Sequence, residues 1–243
     1  MSETAMPVGR DAPRGVLVTR PEPGAAETAA KIAALGWDPV LAPALVLRPL
    51  PFAAPSRAQA LLLPSRAAAR ALAPWPVPVF AVGEATAEEA RRRGFARVTA
   101  ATGDAAALTA LVARSLRPQD GPLLLAVGRG YSLDLAQRLR ARGFAVIRRV
   151  VYGAEPAPAL PEAAASPLRE GRVRLALFFS PRSASCSMVQ VRDAGLLPAL
   201  AGVEALAISP RVAATLSGLC AWRNIRAAPR PDQDSLLEML GTP

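Results

Sequence analysis

The chain has 243 residues, 51% of them apolar, with 29 basic and 19 acidic side chains and a formal net charge of +10. This length allows one or two domains, and the apolar fraction excludes a chain that is disordered throughout. Histidine is absent, which excludes a Ser-His-Asp triad, a Cys-His pair and a histidine-bound metal. The one lysine, Lys31, lies in a helical pattern, which leaves no lysine for a Walker-type phosphate loop.

Short β-type runs alternate with alanine-rich helical runs along the chain. Residues 1–13 contain acids, prolines and glycine without an apolar core, which predicts a disordered tail and not a signal peptide. A predicted strand at 15–19 leads into a helix from about Glu22 to Leu35, followed by a proline-containing extended run at 39–50. Further strands are predicted at 60–63, 77–82, 96–100, 122–127, 145–151, 173–179, 203–208 and 224–228. This order predicts an α/β fold with parallel sheets.

An internal repeat divides the chain into two similar parts. The same pattern of segments occurs in residues 61–112 and in residues 176–240. In each copy it predicts a strand, a helix, a second strand and a helix of small residues, followed by a short strand, an acidic cap and a terminal helix. The cap is Asp104 in the first copy, and Asp232 or Asp234 in the second. We therefore predict two similar parallel-sheet α/β lobes joined by a two-stranded β ladder, with the site in the interlobe cleft. The predicted bounds are 14–45 plus 157–243 for a discontinuous lobe, 51–145 for an inserted lobe, and 46–50 and 146–156 for the crossing strands.

Hydroxyl residues, glycine and arginine follow the predicted strands, at the ends where parallel α/β sheets bind ligands. Backbone N–H groups at helix N-termini attract anions, and an arginine fork adds charge. Each such residue alone is also explained as an ordinary helix cap, but their recurrence in both lobes indicates a site for a polyanion. The predicted ligand-binding residues are Thr19, Arg20, Ser65, Arg66, Gly83, Thr86, Gly128, Arg129, Ser180, Ser183, Ser209 and Arg211.

Tyr152 is predicted to end the second long extended run, where its phenol can donate a hydrogen bond or act as a weak general acid. The alternative is an interfacial tyrosine with a packed ring and a solvated hydroxyl. Tyr131 either faces the same site or begins a helix. Gly128-Arg129-Gly130 lacks the third glycine and the later acid of a dinucleotide fingerprint, so a nicotinamide cofactor is excluded.

The positive charge is carried by scattered arginines, without a basic block or interleaved aromatic residues. Nucleic-acid binding is therefore the weakest interpretation of the charge. Arg91 to Arg93 form the densest cluster, and Glu88 and Glu89 stand four residues before Arg92 and Arg93, which predicts helical ion pairs.

Cys186 and Cys220 are the only cysteines, too few for a thiolate zinc site and too far apart for a CxxC pair. One disulfide is an alternative, but two free thiols in a reducing cytoplasm are the expectation. No apolar run approaches the roughly 20 residues of a membrane span. We therefore expect a cytoplasmic protein without a metal.

Several segments, in the same order along residues 15–240, resemble the uroporphyrinogen-III synthase family. Tyr152 stands at the position of the family's tyrosine, and Ser209-Pro210-Arg211 replaces a Gly-Pro-Thr type of turn, where Ser209 is expected to keep the helix cap. The resembling segments are the opening with Thr19-Arg20-Pro21, AVGEATAEEARRRGF at 81–95, the return crossing at 128–156, FFSPRSAS at 178–185 and AISPRVAATL at 207–216.

The resemblance implies an enzyme of tetrapyrrole biosynthesis, usually monomeric, that needs no metal and no organic cofactor. The implied substrate is hydroxymethylbilane, a linear polycarboxylate tetrapyrrole, which loses water and closes to uroporphyrinogen III through a spiro intermediate that inverts ring D. The substrate's own electrons expel the leaving group, so the protein supplies orientation and modest acid assistance, for which Tyr152 is the candidate. Whether the protein touches the preceding pathway enzyme, which would hand over an unstable substrate, is left open.

A different class of function fits the same strand ends. A non-catalytic two-lobed binding protein for a polycarboxylate, or another anionic ligand, would use the same serines and arginines. It would bind its ligand without turnover, whereas the synthase would convert it.

Overall fold

The computed structural model describes residues 13–243, in which the chain divides into two compact units. We call Met1–Val46 with Pro156–Pro243 the terminal unit and Leu47–Glu155 the inserted unit. The predicted tail at 1–13 lies outside the described residues, apart from its last residue.

Strands and helices alternate along most of the described chain. The strands are β1 (Gly15–Val18), β2 (Asp38–Leu41), β3 (Leu45–Pro49), β4 (Ala60–Leu63), β5 (Val79–Ala81), β6 (Val98–Ala100), β7 (Leu123–Gly128), β8 (Val146–Pro156), β9 (Val173–Phe178), β10 (Glu204–Ala207) and β11 (Asn224–Ala227). The helices are α1 (Gly24–Ala34), α2 (Arg66–Arg70), α3 (Glu84–Arg92), α4 (Ala105–Ser115), α5 (Asp134–Ala141), α6 (Glu162–Arg169), α7 (Pro181–Asp193), α8 (Pro210–Ser217) and α9 (Gln233–Glu238).

The terminal unit contains a five-stranded sheet in the order β11-β10-β9-β1-β2, and every neighbouring pair is parallel. Its central strand residues alternate between two apolar clusters, because successive side chains of a strand point to opposite faces. Leu17 packs into one cluster, and Val16 and Val18 into the other. Burial on both faces is what a parallel sheet covered by helices requires.

The inserted unit contains a six-stranded sheet in the order β3-β8-β7-β4-β5-β6. The five strands from β8 to β6 pair in parallel. Leu61 and Leu63 pack on one face of this sheet, and Ala60 and Leu62 on the other. The predicted fold class, α/β with two parallel sheets, is therefore confirmed.

The two copies of the internal repeat form the same series of elements. The first copy forms β4-α2-β5-α3-β6-α4, and the second forms β9-α7-β10-α8-β11-α9. Asp104 caps α4 by accepting the Ala107 N–H at 2.6 Å, and Asp232 caps α9 by accepting the Ser235 N–H at 2.8 Å. The predicted order of elements is confirmed, and the cap of the second copy is Asp232.

The extended run at 39–50 forms two strands, β2 and β3, and each lies at an edge of its sheet, in agreement with prolines that argue against a central strand. Two local predictions are wrong. Tyr152 does not end its strand, because β8 continues to Pro156. Arg92 pairs with Glu89, three residues before it, and Arg93 donates to the carbonyl of Arg70, so the predicted pairs four residues apart do not form.

None of the helices within residues 13–243 is both long enough and apolar enough to cross a membrane.

Candidate active site

Three strands of the inserted unit, β4, β5 and β7, end at the same edge of their sheet because they run parallel, and β8 passes this edge at Tyr152. Ser65 follows β4, Gly83 follows β5, Gly128 ends β7, and Tyr152 lies beside Gly128 in the register of β7 and β8. This edge brings together the predicted residues Ser65, Arg66, Gly83, Thr86, Gly128, Arg129 and Tyr152.

The phenol of Tyr152 lies next to the hydroxyl of Ser65. The two oxygens are 3.2 Å apart, which is a hydrogen bond that either group can donate. The Tyr152 ring is half-buried against the apolar cluster on one face of the sheet, and its carbonyl accepts the Arg129 N–H at 2.9 Å. The hydroxyl is therefore held by the protein, in contrast to the alternative of an interfacial tyrosine whose hydroxyl meets only water.

Gly128 lies directly under the Tyr152 ring. The pairing of β7 with β8 shifts its register between Val127 and Gly128. A Cβ atom at position 128 would lie 2.5 Å from Cζ of Tyr152 and 2.7 Å from its hydroxyl oxygen. Only a residue without a side chain permits this close approach.

Ser65 also begins α2. Its backbone is extended, and its Oγ accepts the Ala68 N–H at 3.1 Å, which makes it the N-cap of the helix. The side chain of Arg66, the first residue of α2, is half-buried at the same edge. The single hydroxyl of Ser65 therefore makes two contacts, one with the first turn of α2 and one with the phenol of Tyr152.

Tyr131, the second tyrosine, lies in the loop between β7 and α5. Because α5 begins at Asp134, Tyr131 does not begin the helix. Its carbonyl accepts a hydrogen bond from Arg148 at 2.9 Å. Burial raises the pKa of the Tyr131 hydroxyl, and the nearby Tyr152 and Asp134 add to the increase. At neutral pH, Tyr131 is therefore a neutral neighbour of Tyr152.

Gly83 and Thr86 form the first turn of α3. The Gly83 carbonyl accepts the N–H groups of Thr86 and Ala87, both at 3.1 Å, and Thr86 is buried. A Cβ at position 83 would lie 3.3 Å from Cα of Gly103, so this strand end approaches a second loop closely. Both residues shape the edge, and their predicted contact with a ligand stays a prediction.

In the terminal unit, Thr19 and Arg20 are engaged by the chain itself. Thr19 is fully buried and donates its hydroxyl proton to the Leu177 carbonyl at 2.7 Å. The Arg20 guanidinium donates to the side chains of Thr28 and Gln233 and lies 4.5 Å from the centre of the Phe179 ring. No local sequence signal indicates Gln233 as a partner of Arg20, because the two residues are 213 positions apart along the chain.

Serine residues precede two helices of the terminal unit, α7 and α8, and their side chains make different contacts there. Ser180 caps α7 by accepting the Ser183 N–H at 3.1 Å, and buried Ser183 donates to the Ser180 carbonyl at 3.0 Å. Ser209 is the N-cap residue of α8, and its carbonyl accepts the Val212 N–H at 3.0 Å, but its side chain makes no hydrogen bond to the helix. Arg211 is exposed in the first turn of α8.

The remaining candidate groups give no nucleophile or metal site. Both cysteines are free thiols, and burial raises the pKa of the Cys220 thiol, which keeps it protonated at neutral pH. The described part of the chain contains no cluster of three or more carboxylate or cysteine ligands.

Two sheets of parallel strands place the chain among the α/β proteins, which bind ligands at the carboxyl ends of their strands. A family model described as Uroporphyrinogen-III synthase HemD matches residues 26–238. The chain belongs to the uroporphyrinogen-III synthase family, and it is a cyclising lyase of tetrapyrrole biosynthesis.

Solved structures of the family resemble this chain at low sequence identity. The uroporphyrinogen-III synthetase of Helicobacter pylori 26695 is 15% identical with a TM-score of 0.53, over 93% of this chain and 97% of that chain. The wild-type uroporphyrinogen III synthase of the extremely thermophilic bacterium Thermus thermophilus is 19% identical with a TM-score of 0.40, over 93% of this chain and 94% of that chain. The Helicobacter pylori structure supports the fold. No curated protein sequence matches the chain.

Proposed function

We propose that this chain converts hydroxymethylbilane to uroporphyrinogen III and that Tyr152 is its general acid. The observation that carries this role is the position of the Tyr152 hydroxyl, held 3.2 Å from Ser65 at the carboxyl edge of a parallel sheet. Ligands of parallel α/β sheets bind at this edge. A phenol there is suited to modest acid assistance, which is all that the reaction requires.

In the proposed reaction, the Tyr152 proton passes to the substrate's hydroxymethyl oxygen as the C–O bond breaks. Water leaves, and the pyrrole nitrogen supplies the electrons that form a cationic azafulvene. The terminal pyrrole attacks through its substituted carbon to give the spiro intermediate. This intermediate fragments and closes again with ring D inverted. The pyrrole carbon that forms the new bond then loses one proton, and this proton returns to the Tyr152 phenolate, so that the net products are uroporphyrinogen III and water.

For the carboxylates, we propose the arginines that begin or precede helices at this edge. Arg129 is exposed and Arg66 is half-buried, and both carry a planar guanidinium that matches a carboxylate in fork geometry. Ser180, Ser183, Ser209 and Arg211 of the terminal unit stay predicted substrate contacts. Thr19 and Arg20 also stay predictions, although their side chains already have partners within the terminal unit.

We further propose that the protein works as a cytoplasmic monomer. The free thiols of Cys186 and Cys220 support a reducing compartment. Transient contact with the preceding enzyme is part of this proposal, because hydroxymethylbilane closes spontaneously to the type I isomer when it is released into solution.

The test is an isomer assay with freshly generated hydroxymethylbilane, after which the oxidised porphyrins are separated into types I and III. The wild-type protein is expected to give predominantly type III. Tyr152→Phe is expected to lower kcat about 100-fold, the low end for general acid catalysis, because the substrate's own electrons expel the leaving group.

Tyr131→Phe is the matched control, since it removes the only other phenol of the chain. Its rate is expected to stay close to that of the wild type. Turnover by Tyr152→Phe at the wild-type rate would exclude the acid role. Type I alone, formed in the presence of folded wild-type protein, would show a binding-only relative and overturn the proposed activity.

A further inference from the structure

We infer that Gly128 and Ser65 are positioning residues that hold the Tyr152 phenol and set the direction of its proton. This inference rests on the proposed acid role of Tyr152. It gives both residues a role different from direct contact with the substrate.

The backbone around Tyr152 is fixed from both sides. The Val151 carbonyl accepts the Leu50 N–H at 2.8 Å, and the Tyr152 carbonyl accepts the Arg129 N–H at 2.9 Å. With β8 held in this way, the position of the phenol depends on the side-chain torsions of Tyr152. What surrounds the ring therefore decides where the hydroxyl lies.

Gly128 provides the space that the ring occupies. A Cβ at this position would lie within 2.7 Å of three atoms at the outer end of the ring, closer than side-chain carbons approach one another. Gly128 does not have a left-handed backbone, so alanine is compatible with its strand geometry. An alanine would therefore displace the ring from Ser65 and leave the strand intact.

Ser65 determines which way the phenol proton points. Its Oγ uses one lone pair to accept the Ala68 N–H at 3.1 Å. A serine hydroxyl also has a single proton, which it can donate to the phenol oxygen 3.2 Å away, and we assign the donor role in this contact to Ser65. Tyr152 then keeps its own proton for the substrate. A donor on the phenol oxygen also stabilises the negative charge that develops there as the proton leaves.

The test compares Ser65→Ala, Ser65→Thr, Gly128→Ala and Gly153→Ala, each made with Tyr152 and with Tyr152→Phe in the full-length protein. We measure kcat and KM for type III formation and the thermal midpoint of every variant. Gly153→Ala is the matched control, since a Cβ there has only ordinary contacts, 3.4 Å from Leu50 and 3.8 Å from Arg129.

With Tyr152 present, Ser65→Ala and Gly128→Ala are expected to lower kcat about 3- to 10-fold, the effect of losing one hydrogen bond, with KM unchanged. Ser65→Thr keeps the hydroxyl, and its kcat is expected to stay close to that of the wild type. In the Tyr152→Phe background, Ser65→Ala and Gly128→Ala are not expected to lower kcat further, because the phenol that they position is already absent. Loss of the α2 cap lowers the thermal midpoint of Ser65→Ala equally in both backgrounds, which separates its structural role from its positioning role.

A further decrease in kcat or an increase in KM caused by Ser65→Ala in the Tyr152→Phe background would show direct substrate contact and overturn the inference alone. An unchanged kcat for Ser65→Ala with Tyr152 present would also overturn it. An unchanged kcat for Tyr152→Phe itself would overturn the acid role and this inference together. The two serine variants decide the question even if Gly128→Ala does not fold.

Discussion

Glu89 on α3 is the one acidic side chain that is buried within residues 13–243. Both of its oxygens contact Arg70, at 3.1 Å, and one also accepts from Arg92 at 2.9 Å. Burial by itself would raise the pKa of Glu89, but the hydrogen bond and charge of Arg70 and the charges of Arg92 and Arg93 outweigh it and lower the pKa. The carboxylate therefore stabilises the folded protein in its ionised form.

We predict that Glu89→Gln lowers the free energy of unfolding by about 1–2 kcal/mol at pH 7. The estimate is modest, because the side chains of Arg70 and Arg92 are 42% and 68% exposed. Since the folded pKa lies below the unfolded value of about 4.3, the stabilisation is present above that pH and is lost as the pH falls through the folded pKa. Urea unfolding measured between pH 7 and pH 3 tests this.

Glu88→Gln is the control for this prediction, because Glu88 is the neighbouring glutamate and is exposed. It should unfold like the wild type at every pH. A constant difference between Glu89→Gln and the wild type across the pH range would show that packing, and not charge, is what the substitution removes.

At the scale of elements, α9 is too short to be stable alone. An isolated helix of six residues is not stable in water, so α9 is stabilised by its packing and its cap. Asp232 caps it, and Leu236 is fully buried in an apolar cluster with residues of β1 and α1. Gln233 and Asp234 accept hydrogen bonds from Arg20 and Lys31, which attach α9 to the first part of the chain.

We predict that Leu236→Ala destabilises the protein by about 2–5 kcal/mol, the cost of a large-to-small change at a fully buried position. Glu238→Ala, on the exposed side of the same helix, is the control and should change stability by less than about 0.5 kcal/mol. The free energy of unfolding in urea is the measurement. Equal effects of the two substitutions would show that α9 does not carry the packing described.

The sequence predicted elements better than it predicted contacts. Periodicity and caps placed the strands and the Asp104 cap, and narrowed the second cap to Asp232 or Asp234, because these signals are local. Helix α6 was not predicted individually, since it contains Pro167 within its last turn, and proline is a helix-breaking signal. The Ser65–Tyr152 pair was not predicted as a contact, because it depends on the order in which β4, β7 and β8 lie in the sheet.

At the scale of the whole molecule, the internal repeat and the long extended runs predicted two parallel sheets. The predicted lobe boundaries, which stay a prediction, end the inserted lobe at 145, before its last parallel strand. In the structure, β8 occupies the range predicted for the second crossing strand, 146–156, and it lies inside the six-stranded sheet, paired with β7 from Leu123 to Gly128. Without β8, the edge of the sheet would lack Tyr152. Leu124 and Ala126 would also lose their packing partner Val151, which belongs to the same apolar cluster.

We therefore predict that the isolated fragment 47–155 folds by itself, whereas the shorter fragment 51–145 does not. The longer fragment keeps all strands of its sheet from β4 to β8 and the apolar clusters on both faces. The shorter one lacks β8 and the part of β3 that the longer one keeps, and without β8 the strand β7, which lies inside the sheet of the intact chain, becomes an edge strand. Circular dichroism and urea unfolding distinguish the two, because only a packed fragment shows a cooperative transition. Cooperative unfolding of 51–145 would mean that β8 is dispensable, and a non-cooperative 47–155 would mean that the inserted unit depends on the rest of the chain.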